Sequence, residues 1–346
     1  MDLELYNFDL PNSLIATEPV TPRDSARLLV VDKKEDVVFD VKFRDLFQFL
    51  RPGDFLVFNK TKVIPARFRG QIKGRSVEIL LVRPFDEWSW EVLAKPGKKI
   101  IENDVMFFSD KLSARVVKKN ESGSLKILFI TKEETPLKDL LDEAGEMPLP
   151  PYILKQRGER CGRKSDREDY QTVYAESSGS IAAPTAGLHF TRRLLADLKK
   201  KGINIAFVDL KIGLGTFAPI RVKNIEDHQM HTEQFELTPL LARKLNQAKR
   251  DGQRIIAVGT TTVRVLETCQ EDGFLVPGKG ETSIFIHPGY KFGFVDGLIT
   301  NFHLPKSSLL LLVSAFHNRQ KIMKIYREAI EKNYRFYSYG DGMFLF

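Results

Sequence analysis

Residues 191–210, TRRLLADLKKKGINIAFVDL, decide the fold. Thr191 can cap a helix over Arg192 to Lys200, because its hydroxyl accepts a hydrogen bond from an otherwise unpaired amide of the first turn. Lys201-Gly202 ends this helix. The apolar run Ile203 to Leu210 that follows predicts a buried strand, so the stretch predicts a helix that leads into a sheet.

The same pattern returns further along the chain. Thr238 can cap a helix over Pro239 to Arg250, Asp251-Gly252 ends it, and Ile255 to Val258 predicts the next strand. Helices that alternate with strands favour a sheet with parallel neighbours. The sequence therefore predicts a mixed, largely parallel α/β domain.

The N-terminal stretch adds two strands to this prediction, Arg27 to Val31 and Asp54 to Phe58, with an amphipathic helix, Phe43 to Leu50, between them. Between Arg67 and about Thr131 the pattern changes to short β-rich runs separated by turns such as Lys95-Pro96-Gly97. We therefore predict an all-β, barrel-like domain at 67–149, inserted into an α/β catalytic domain formed by 1–66 and 150–346.

Composition limits the class of protein. The chain has 346 residues, 42% hydrophobic and 28% charged, which is typical of a globular protein. No signal peptide is apparent after Met1, and the apolar run Leu309 to Val313 is too short to span a bilayer, so we expect a soluble cytoplasmic protein. Two distant cysteines, Cys161 and Cys269, exclude a disulfide framework. The net charge of +8 fits a polyanionic partner without requiring one.

Three glycine-bearing loops stand at predicted strand ends, where open α/β sheets bind ligands. They are 183–191 (APTAGLHFT), 213–217 (GLGTF) and 259–264 (GTTTVR). Glycine permits close backbone approach, and helix N-termini favour anions. Such loops also occur without any ligand, so each one alone is a weak signal. We predict that substrate contacts come from Thr185, Gly187, Gly213, Gly215, Thr216, Phe217, Gly259, Thr260, Thr261 and Arg264.

The motifs G-x-x-x-x-G-K-[ST], H-E-x-x-H and C-x-x-C do not occur, which argues against a P-loop hydrolase and a zinc site. His189 lies in a glycine-bearing loop just before a helix and is a candidate for proton transfer. His228 and His231 lie among Glu226, Asp227 and Glu233, a pattern that suits proton transfer, metal ligation or a purely structural contact. A basic stretch from Lys155 to Arg167 predicts a mobile surface loop.

Read together, these segments resemble the S-adenosylmethionine:tRNA ribosyltransferase-isomerase family of the queuosine pathway. The resemblance covers nearly the whole chain and is carried by FDLP (8–11), PRDSARL (22–28), VFN (57–59), VIPAR (63–67), GEMPLPPYI (145–153), YQTVYA (170–175), AAPTAGLHFT (182–191), GLGTF (213–217), MH (230–231), GTT (259–261), DGLITNFHLP (296–305), YRF (334–336) and SYGD (338–341). Departures are few: Lys60 and Lys62 stand where Asp and Arg are expected, His287 replaces Tyr, and Gly342 replaces Ala.

The resemblance implies transfer of the ribosyl part of S-adenosylmethionine to the aminomethyl group of a 7-deazaguanine at the wobble position of a tRNA with a G-U-N anticodon. The sugar becomes the epoxycyclopentane of epoxyqueuosine, and adenine and methionine leave. S-adenosylmethionine is then a consumed substrate, and no metal or redox cofactor is implied. We expect a monomer.

The residues expected to carry this chemistry follow from the motifs. His189, His231 and Glu233 are candidates for the base beside the sulfonium and the acid at adenine, and Arg264 or Asp341 for holding the substrate. Expected tRNA contacts are Arg23, Arg27, Arg67, Lys155 and Arg157. Phe190, Phe217, Tyr290 and Phe302 suit base stacking or core packing.

Two other functions fit parts of the pattern. An S-adenosylmethionine-dependent tRNA methyltransferase would release S-adenosylhomocysteine, but it would be expected to have an early glycine-rich turn between strand and helix, which this chain lacks. A non-catalytic tRNA-binding protein would bind without turnover and has no need of so many glycine-threonine loops.

Overall fold

The computed structural model describes residues 1–132, 135–159, 162–213, 215, 220 and 222–346. The chain forms two compact units. The first, which we call the main unit, comprises 1–62, 171–178 and 183–346, and the second, the barrel unit, comprises 63–170 and 179–182. The barrel unit is larger than the predicted insert because the chain after residue 149 folds back on it: Arg167 Nη2 donates to Asp142 O at 2.6 Å and to Gly145 O at 2.8 Å.

Strands occur throughout both units. In chain order they are β1 (Arg27–Asp32), β2 (Val37–Lys42), β3 (Phe55–Asn59), β4 (Thr61–Val63), β5 (Arg67–Ile72), β6 (Arg75–Pro84), β7 (Ser89–Lys95), β8 (Val105–Phe107), β9 (Leu112–Lys119), β10 (Leu125–Thr131), β11 (Ser177–Ser180), β12 (Asn204–Leu210), β13 (Glu233–Leu237), β14 (Ile255–Val258), β15 (Gln270–Glu271), β16 (Phe274–Leu275), β17 (Gly278–Thr282), β18 (Gly297–Asn301) and β19 (Gly342–Leu345).

The α-helices are α1 (Leu137–Ala144), α2 (Pro151–Arg157), α3 (Asp166–Asp169), α4 (Arg192–Lys200), α5 (Pro239–Arg250), α6 (Thr260–Thr268), α7 (Ser308–Phe316) and α8 (Arg319–Glu331). Short 3-10 helices are Leu3–Tyr6, Asn12–Leu14, Arg23–Ser25, Phe43–Phe49, Thr185–His189 and Ile225–Asp227. The segment predicted as an amphipathic helix at Phe43 to Leu50 is thus a 3-10 helix. No helix among the described residues is both long and apolar enough to span a membrane.

The main unit is built on a nine-stranded mixed sheet in the order β17-β13-β12-β3-β14-β18-β19-β1-β2. Its four central strands, β12, β3, β14 and β18, run parallel. Their carboxyl ends therefore meet along one edge, where ligands bind in open α/β sheets. With the closed barrel of the other unit, this sheet confirms the predicted fold class.

Threonine caps start the two helices as predicted. Thr191 Oγ1 accepts from the Leu194 amide at 3.1 Å, and Thr238 Oγ1 accepts from the Leu241 amide at 3.3 Å. Phe190 directly precedes the first of these caps and is fully buried in a core cluster with Phe43 and Phe58. Phe302 is fully buried as well, so both side chains pack in the core and neither is available to stack on a base.

The barrel unit is a closed six-stranded barrel in the order β10-β7-β6-β5-β8-β9. Its strands alternate between buried and exposed side chains, as in β9, where Leu112, Ala114 and Val116 point into the core. Two of the short β-rich runs between Arg67 and Thr131, residues 77–82 and 126–130, lie within β6 and β10. Period-2 alternation with a filled interior is what a small barrel requires.

The basic stretch after the barrel is helical at both of its ends. Lys155 to Arg157 belong to α2 and Asp166 with Arg167 to α3, and an ion pair joins the two helices, with Arg157 Nη1 3.0 Å from Asp166 Oδ1 and both side chains buried. The predicted loop is therefore shorter than expected, because the stretch supplies its own countercharge and its two ends pack. Arg160 and Cys161 lie outside the described residues.

Candidate active site

A small hollow lies at the carboxyl edge of the parallel strands in the main unit. It is lined by Ala183, Pro184, Thr185, Ala186, Ile212, Gly259, Thr260, Thr261, Thr300, His303 and Leu309. Four predicted substrate contacts, Thr185, Gly259, Thr260 and Thr261, thus share one cavity. The cavity measures about 20 Å³, whereas sites for drug-sized ligands span roughly 300–1,000 Å³, so a substrate has to widen it.

The start of α6 gives this hollow its anion-binding character. Gly259 caps the helix with φ 89°, a left-handed conformation that favours glycine, and it offers no side-chain acceptor to the first turn. The first amides of a helix lack intrahelical acceptors and carry the positive end of the dipole. The Thr260 and Thr261 amides are therefore suited to a carboxylate or a phosphate.

Asn59, at the end of β3, forms hydrogen bonds with three segments around this edge. Its Nδ2 donates to Leu210 O at 3.0 Å and to Thr261 Oγ1 at 3.4 Å. Its Oδ1 accepts from the Leu210 amide at 3.1 Å and from the Thr61 amide at 3.2 Å. Asn59 is fully buried, so these bonds satisfy a side chain that water cannot reach. Asn59 belongs to the VFN motif but was not among the predicted site residues.

A buried ion pair braces the neighbouring loop. Glu233 Oε1 accepts from the Gly213 amide at 3.0 Å, and Glu233 Oε2 pairs with Arg264 Nη1. Arg264 Nη2 donates to Thr282 O at 3.4 Å. The two side chains are 2% and 5% exposed. The structure thus brings Gly213, Glu233 and Arg264 together as one brace between a loop, α6 and β13, an arrangement that positions the loop.

His231 differs from Glu233 in being exposed. A Cβ built on Gly215 would lie 2.3 Å from the His231 ring, so glycine at this position allows the imidazole to lie against the backbone. Burial, and then the neighbouring His231, lowers the pKa of His228, whose ring packs edge-on against Phe285 at 5.2 Å. Thr216 and Phe217 lie outside the described residues.

His189 lines a different hollow, with Pro19, Val20, Arg23, Leu188, Arg335, Ser338 and Tyr339. Its ring stacks on Phe43 at 4.6 Å, and its Nε2 lies 3.4 Å from Asn301 Nδ2. Complete burial, followed by the charges of Arg335 and Arg23, lowers its pKa to about 3. The imidazole is therefore neutral near pH 7, and it is a weak base.

Gly187 serves packing at its position in the same loop. A Cβ there would lie 1.9 Å from the Tyr174 hydroxyl, a distance that no side chain tolerates. Gly187 was predicted to contact substrate, but the close approach of Tyr174 is enough to explain why this position is glycine. This tyrosine in turn packs edge-on against Phe58 at 5.0 Å, so the contact belongs to the core.

His303 is the imidazole that lines the hollow with Thr260 and Thr261. Its Nε2 lies 2.8 Å from Thr300 Oγ1, and its backbone amide donates to the Tyr326 hydroxyl at 3.1 Å. Burial lowers the pKa of His303 to about 3, so this ring is a neutral hydrogen-bonding group. His303 was not among the predicted site residues, although its place two residues after β18 within DGLITNFHLP was a usable signal.

Asp341 joins two distant parts of the chain through its carboxylate. Its Oδ1 accepts from the Arg27 amide at 2.9 Å and its Oδ2 from the Arg335 amide at 2.8 Å. The Arg27 side chain pairs with Asp40 and covers the Tyr334 ring at 3.7 Å. These contacts explain the burial of Asp341 without a ligand.

The residues expected to contact tRNA differ in how exposed their side chains are. Lys155 is exposed, and Arg23, half-buried, donates to Gln171 O at 2.7 Å. Arg67 and Arg157 were wrongly predicted. Arg67 is 6% exposed and donates to Leu149 O at 2.8 Å, while the Arg157 side chain is 3% exposed against Asp166. Buried guanidinium groups that neutralise or cap their own unit cannot reach a phosphate backbone.

Across the part of the chain that the structure describes, no group of three or more His, Cys, Asp or Glu residues could hold a metal ion. Cys269 is buried, and burial raises the pKa of its thiol to about 11. Tyr290 is half-buried and donates to Glu267 Oε2 at 3.1 Å.

Comparison with known proteins gives one family. Residues 3–345 match the family model described as queuosine biosynthesis protein. S-adenosylmethionine:tRNA ribosyltransferase-isomerases of Desulforamulus reducens and Heliobacterium modesticaldum are each 47% identical to this chain, over 100% of both chains. A crystal structure of S-adenosylmethionine tRNA ribosyltransferase from Thermotoga maritima is similar with a TM-score of 0.55 and 35% identity, covering 99% of this chain and 100% of that one.

Proposed function

Because this chain belongs to the queuosine biosynthesis protein family, we propose that it transfers the ribosyl group of S-adenosylmethionine to tRNA and isomerises it. Full-length identity of 47% to enzymes of this name supports the reaction over the methyltransferase and binding-protein alternatives. The acceptor in our proposal is the aminomethyl group of a 7-deazaguanine at the wobble position of a G-U-N anticodon. The products are epoxyqueuosine in the tRNA, adenine and methionine.

The hollow at the sheet edge is the observation that carries this proposal. Three motif segments that are far apart in the chain line one cavity there, through residues 183–186, residues 259–261, and Thr300 with His303. S-adenosylmethionine carries a carboxylate, and the first amides of α6 suit such a group. We assign the methionine carboxylate to this helix start, with Thr260 and Thr261 as its partners and Thr185 and His303 as neutral hydrogen-bonding groups.

The chemistry needs a base and an acid. The positive sulfonium acidifies the adjacent C5′ protons, so a base removes one of them. Adenine leaves with the electron pair of its glycosidic bond, and protonation of its ring stabilises it. Methionine leaves with the electrons of the carbon–sulfur bond. His231 is our candidate for proton transfer because its ring is exposed beside Gly215, whereas Glu233 is tied to Arg264 and His189 is buried.

The proposal extends to the state of the enzyme in the cell. We propose a cytoplasmic monomer that consumes S-adenosylmethionine and needs no resident cofactor. The absence of a membrane-spanning helix among the described residues is compatible with this, and the queuosine pathway acts on tRNA.

The decisive experiment follows the leaving groups. The full chain is incubated with S-adenosylmethionine and tRNA that carries the aminomethyl deazaguanine, and adenine, methionine and S-adenosylhomocysteine are quantified. We expect adenine and methionine in equal amounts and epoxyqueuosine in the tRNA. S-adenosylhomocysteine would indicate a methyltransferase instead, and tRNA binding without any product would indicate a binding protein.

A further inference from the structure

Positive charge is concentrated in the barrel strands. The whole chain carries a net charge of +8, and residues 63–132 contain fourteen Lys and Arg against eight Asp and Glu. Most of the excess therefore belongs to a segment that holds none of the hollow described above. A basic surface attracts polyanions through the release of condensed counterions.

One outer face of the barrel combines this charge with an uncovered aromatic ring. Phe107, on β8, is 59% exposed, although its neighbour Met106 is fully buried. Residues directly opposite one another on antiparallel strands share a face of the sheet. Gln71 of β5 pairs with Phe107, and Ser113 of β9 pairs with Phe107 from the other side. The ring is thus flanked by small or neutral polar side chains that leave both its edges accessible.

This face forms a groove of about 520 Å³. Lys111 and Lys132, both exposed, contribute positive charge to it, and Asp110 contributes one negative charge. Arg69 also lines the groove and is held by Glu78, 3.1 Å away, and by Glu146, 3.5 Å away. The two lysines are exposed to solvent, where a phosphate can approach them.

Gly70 permits the strand arrangement that displays the ring. A Cβ at this position would lie 2.2 Å from Phe107 O, so the backbones of β5 and β8 approach more closely than any side chain allows. The two strands share a single residue pair, Gln71 with Phe107. The groove is therefore built into the backbone, and the exposed phenyl ring is a consequence of that geometry.

We propose that this groove binds unpaired nucleotides of the substrate tRNA, with a base stacked on Phe107 and adjacent phosphates at Lys111 and Lys132. Proteins bind single-stranded nucleic acid in this way, through aromatic platforms in a basic groove. The inference rests on the proposed function, which supplies the tRNA. A neutral peptide would use the ring and leave the lysines without a role, and double-stranded RNA would leave the ring without a stacking partner.

The test measures affinity for tRNA with the full chain. Fluorescence anisotropy with labelled tRNA carrying the aminomethyl deazaguanine gives Kd for the original protein and for Phe107→Ala, Phe107→Tyr, Lys111→Ala and Lys132→Ala. We expect Phe107→Ala to weaken binding roughly five- to a hundredfold and Phe107→Tyr to retain most of it, because either ring can stack. Each lysine variant should reduce the slope of log Kd against log salt by about one.

Two matched controls come from outside the groove. Phe274→Ala removes a phenylalanine that is 46% exposed in the main unit, and Lys118→Ala removes an exposed lysine further along β9. Both should leave Kd and the salt slope unchanged. At saturating tRNA, Phe107→Ala should lose less in kcat than in kcat/KM, since the ring contributes to binding rather than to bond breaking.

The outcomes separate the inference from the function. If the original protein releases adenine and binds tRNA, yet Phe107→Ala and both lysine variants bind as tightly with the same salt slope, the groove proposal is wrong and the function stands. If the original protein neither binds tRNA nor releases adenine, the function itself fails. Should Phe107→Ala unfold in circular dichroism, Phe107→Tyr and the two salt slopes decide the question.

Discussion

The sheet-edge hollow of the main unit and the outer groove of the barrel unit hold their polar groups in opposite ways. Around the hollow, Asn59, Glu233 and Arg264 are buried and bonded to the chain on several sides. In the groove, Phe107 and Lys132 are exposed to solvent. A braced cavity suits chemistry, where small displacements are costly, and an open face suits binding of a long flexible substrate. Variants in the two regions should therefore fail differently.

The largest difference should come from His231, the exposed imidazole beside Gly215. We expect His231→Ala to lower turnover roughly a hundred- to ten-thousandfold, the usual contribution of a proton-transfer group, with tRNA affinity unchanged. His228→Ala removes the neighbouring imidazole and should retain turnover. Adenine release at saturating substrates measures both. Near-normal release by His231→Ala would return the role to His189 or Glu233.

The buried ion pair should give the next largest effect, on stability. Glu233→Ala leaves the Arg264 charge buried and unpaired, so unfolding in urea should become easier by about 3–5 kcal/mol. The double variant Glu233→Leu with Arg264→Met should recover much of this loss, because no charge remains buried, but should not recover adenine release. Glu236→Ala, which changes an exposed carboxylate of the same strand, is the control. If the double variant turns over normally, the pair has no positioning role.

The two buried histidines predict acid sensitivity in the main unit. Burial holds the pKa of His303 near 3, below the value of about 6.5 of an unfolded histidine. The stabilisation is therefore complete above pH 6.5 and is lost as the pH falls towards 3, by about 1.4 kcal/mol per pH unit. His303→Gln should flatten the dependence of the unfolding free energy on pH between 4 and 6.5 by about that slope. An unchanged slope would show that His303 is hydrated in the native protein.

Asn59 should give the smallest effect of the four. Asn59→Ala removes bonds to Leu210 and Thr261 and leaves buried backbone groups without partners, which costs about 1–3 kcal/mol. Turnover should fall as well, because the start of α6 loses an anchor. Asn204→Ala, at the opposite end of β12, breaks a single bond to Gly53 O and should leave turnover unchanged. Equal turnover in the two variants would remove Asn59 from the site.

Helices α4 and α5, the strands that follow them, and the shared hollow of two predicted loops, 183–191 and 259–264, could be predicted because they depend on local patterns. Thr191 and Thr238 mark helix starts through their own hydroxyl groups, and the alternation of helix and strand placed strand ends along one edge. Period-2 runs between Arg67 and Thr131 indicated the barrel. Its closure and the return of 150–170 to it depend on long-range contacts that no local window contains.

The errors share one physical cause, which is that exposure is a tertiary property. Arg67 and Arg157 have the charge that RNA contacts need, yet Leu149 O and Asp166 take them into the interior. His189 and His303 have the same side chain, and only the fold decides which of them faces the cavity with Thr260. Lys60, which departs from the family pattern, shows the reverse case. It lies at the surface and forms an ion pair with Glu176, 3.2 Å away.

The position of β19 in the sheet has a consequence for the order of assembly. This strand, Gly342–Leu345, lies between β18 and β1, and the β1–β2 hairpin joins the sheet only through it. Leu28 pairs with Gly342, so it gains this neighbour only after Gly342 has been synthesised. Until then the apolar β1 strand has an open side, so the newly made N-terminal hairpin is exposed to aggregation.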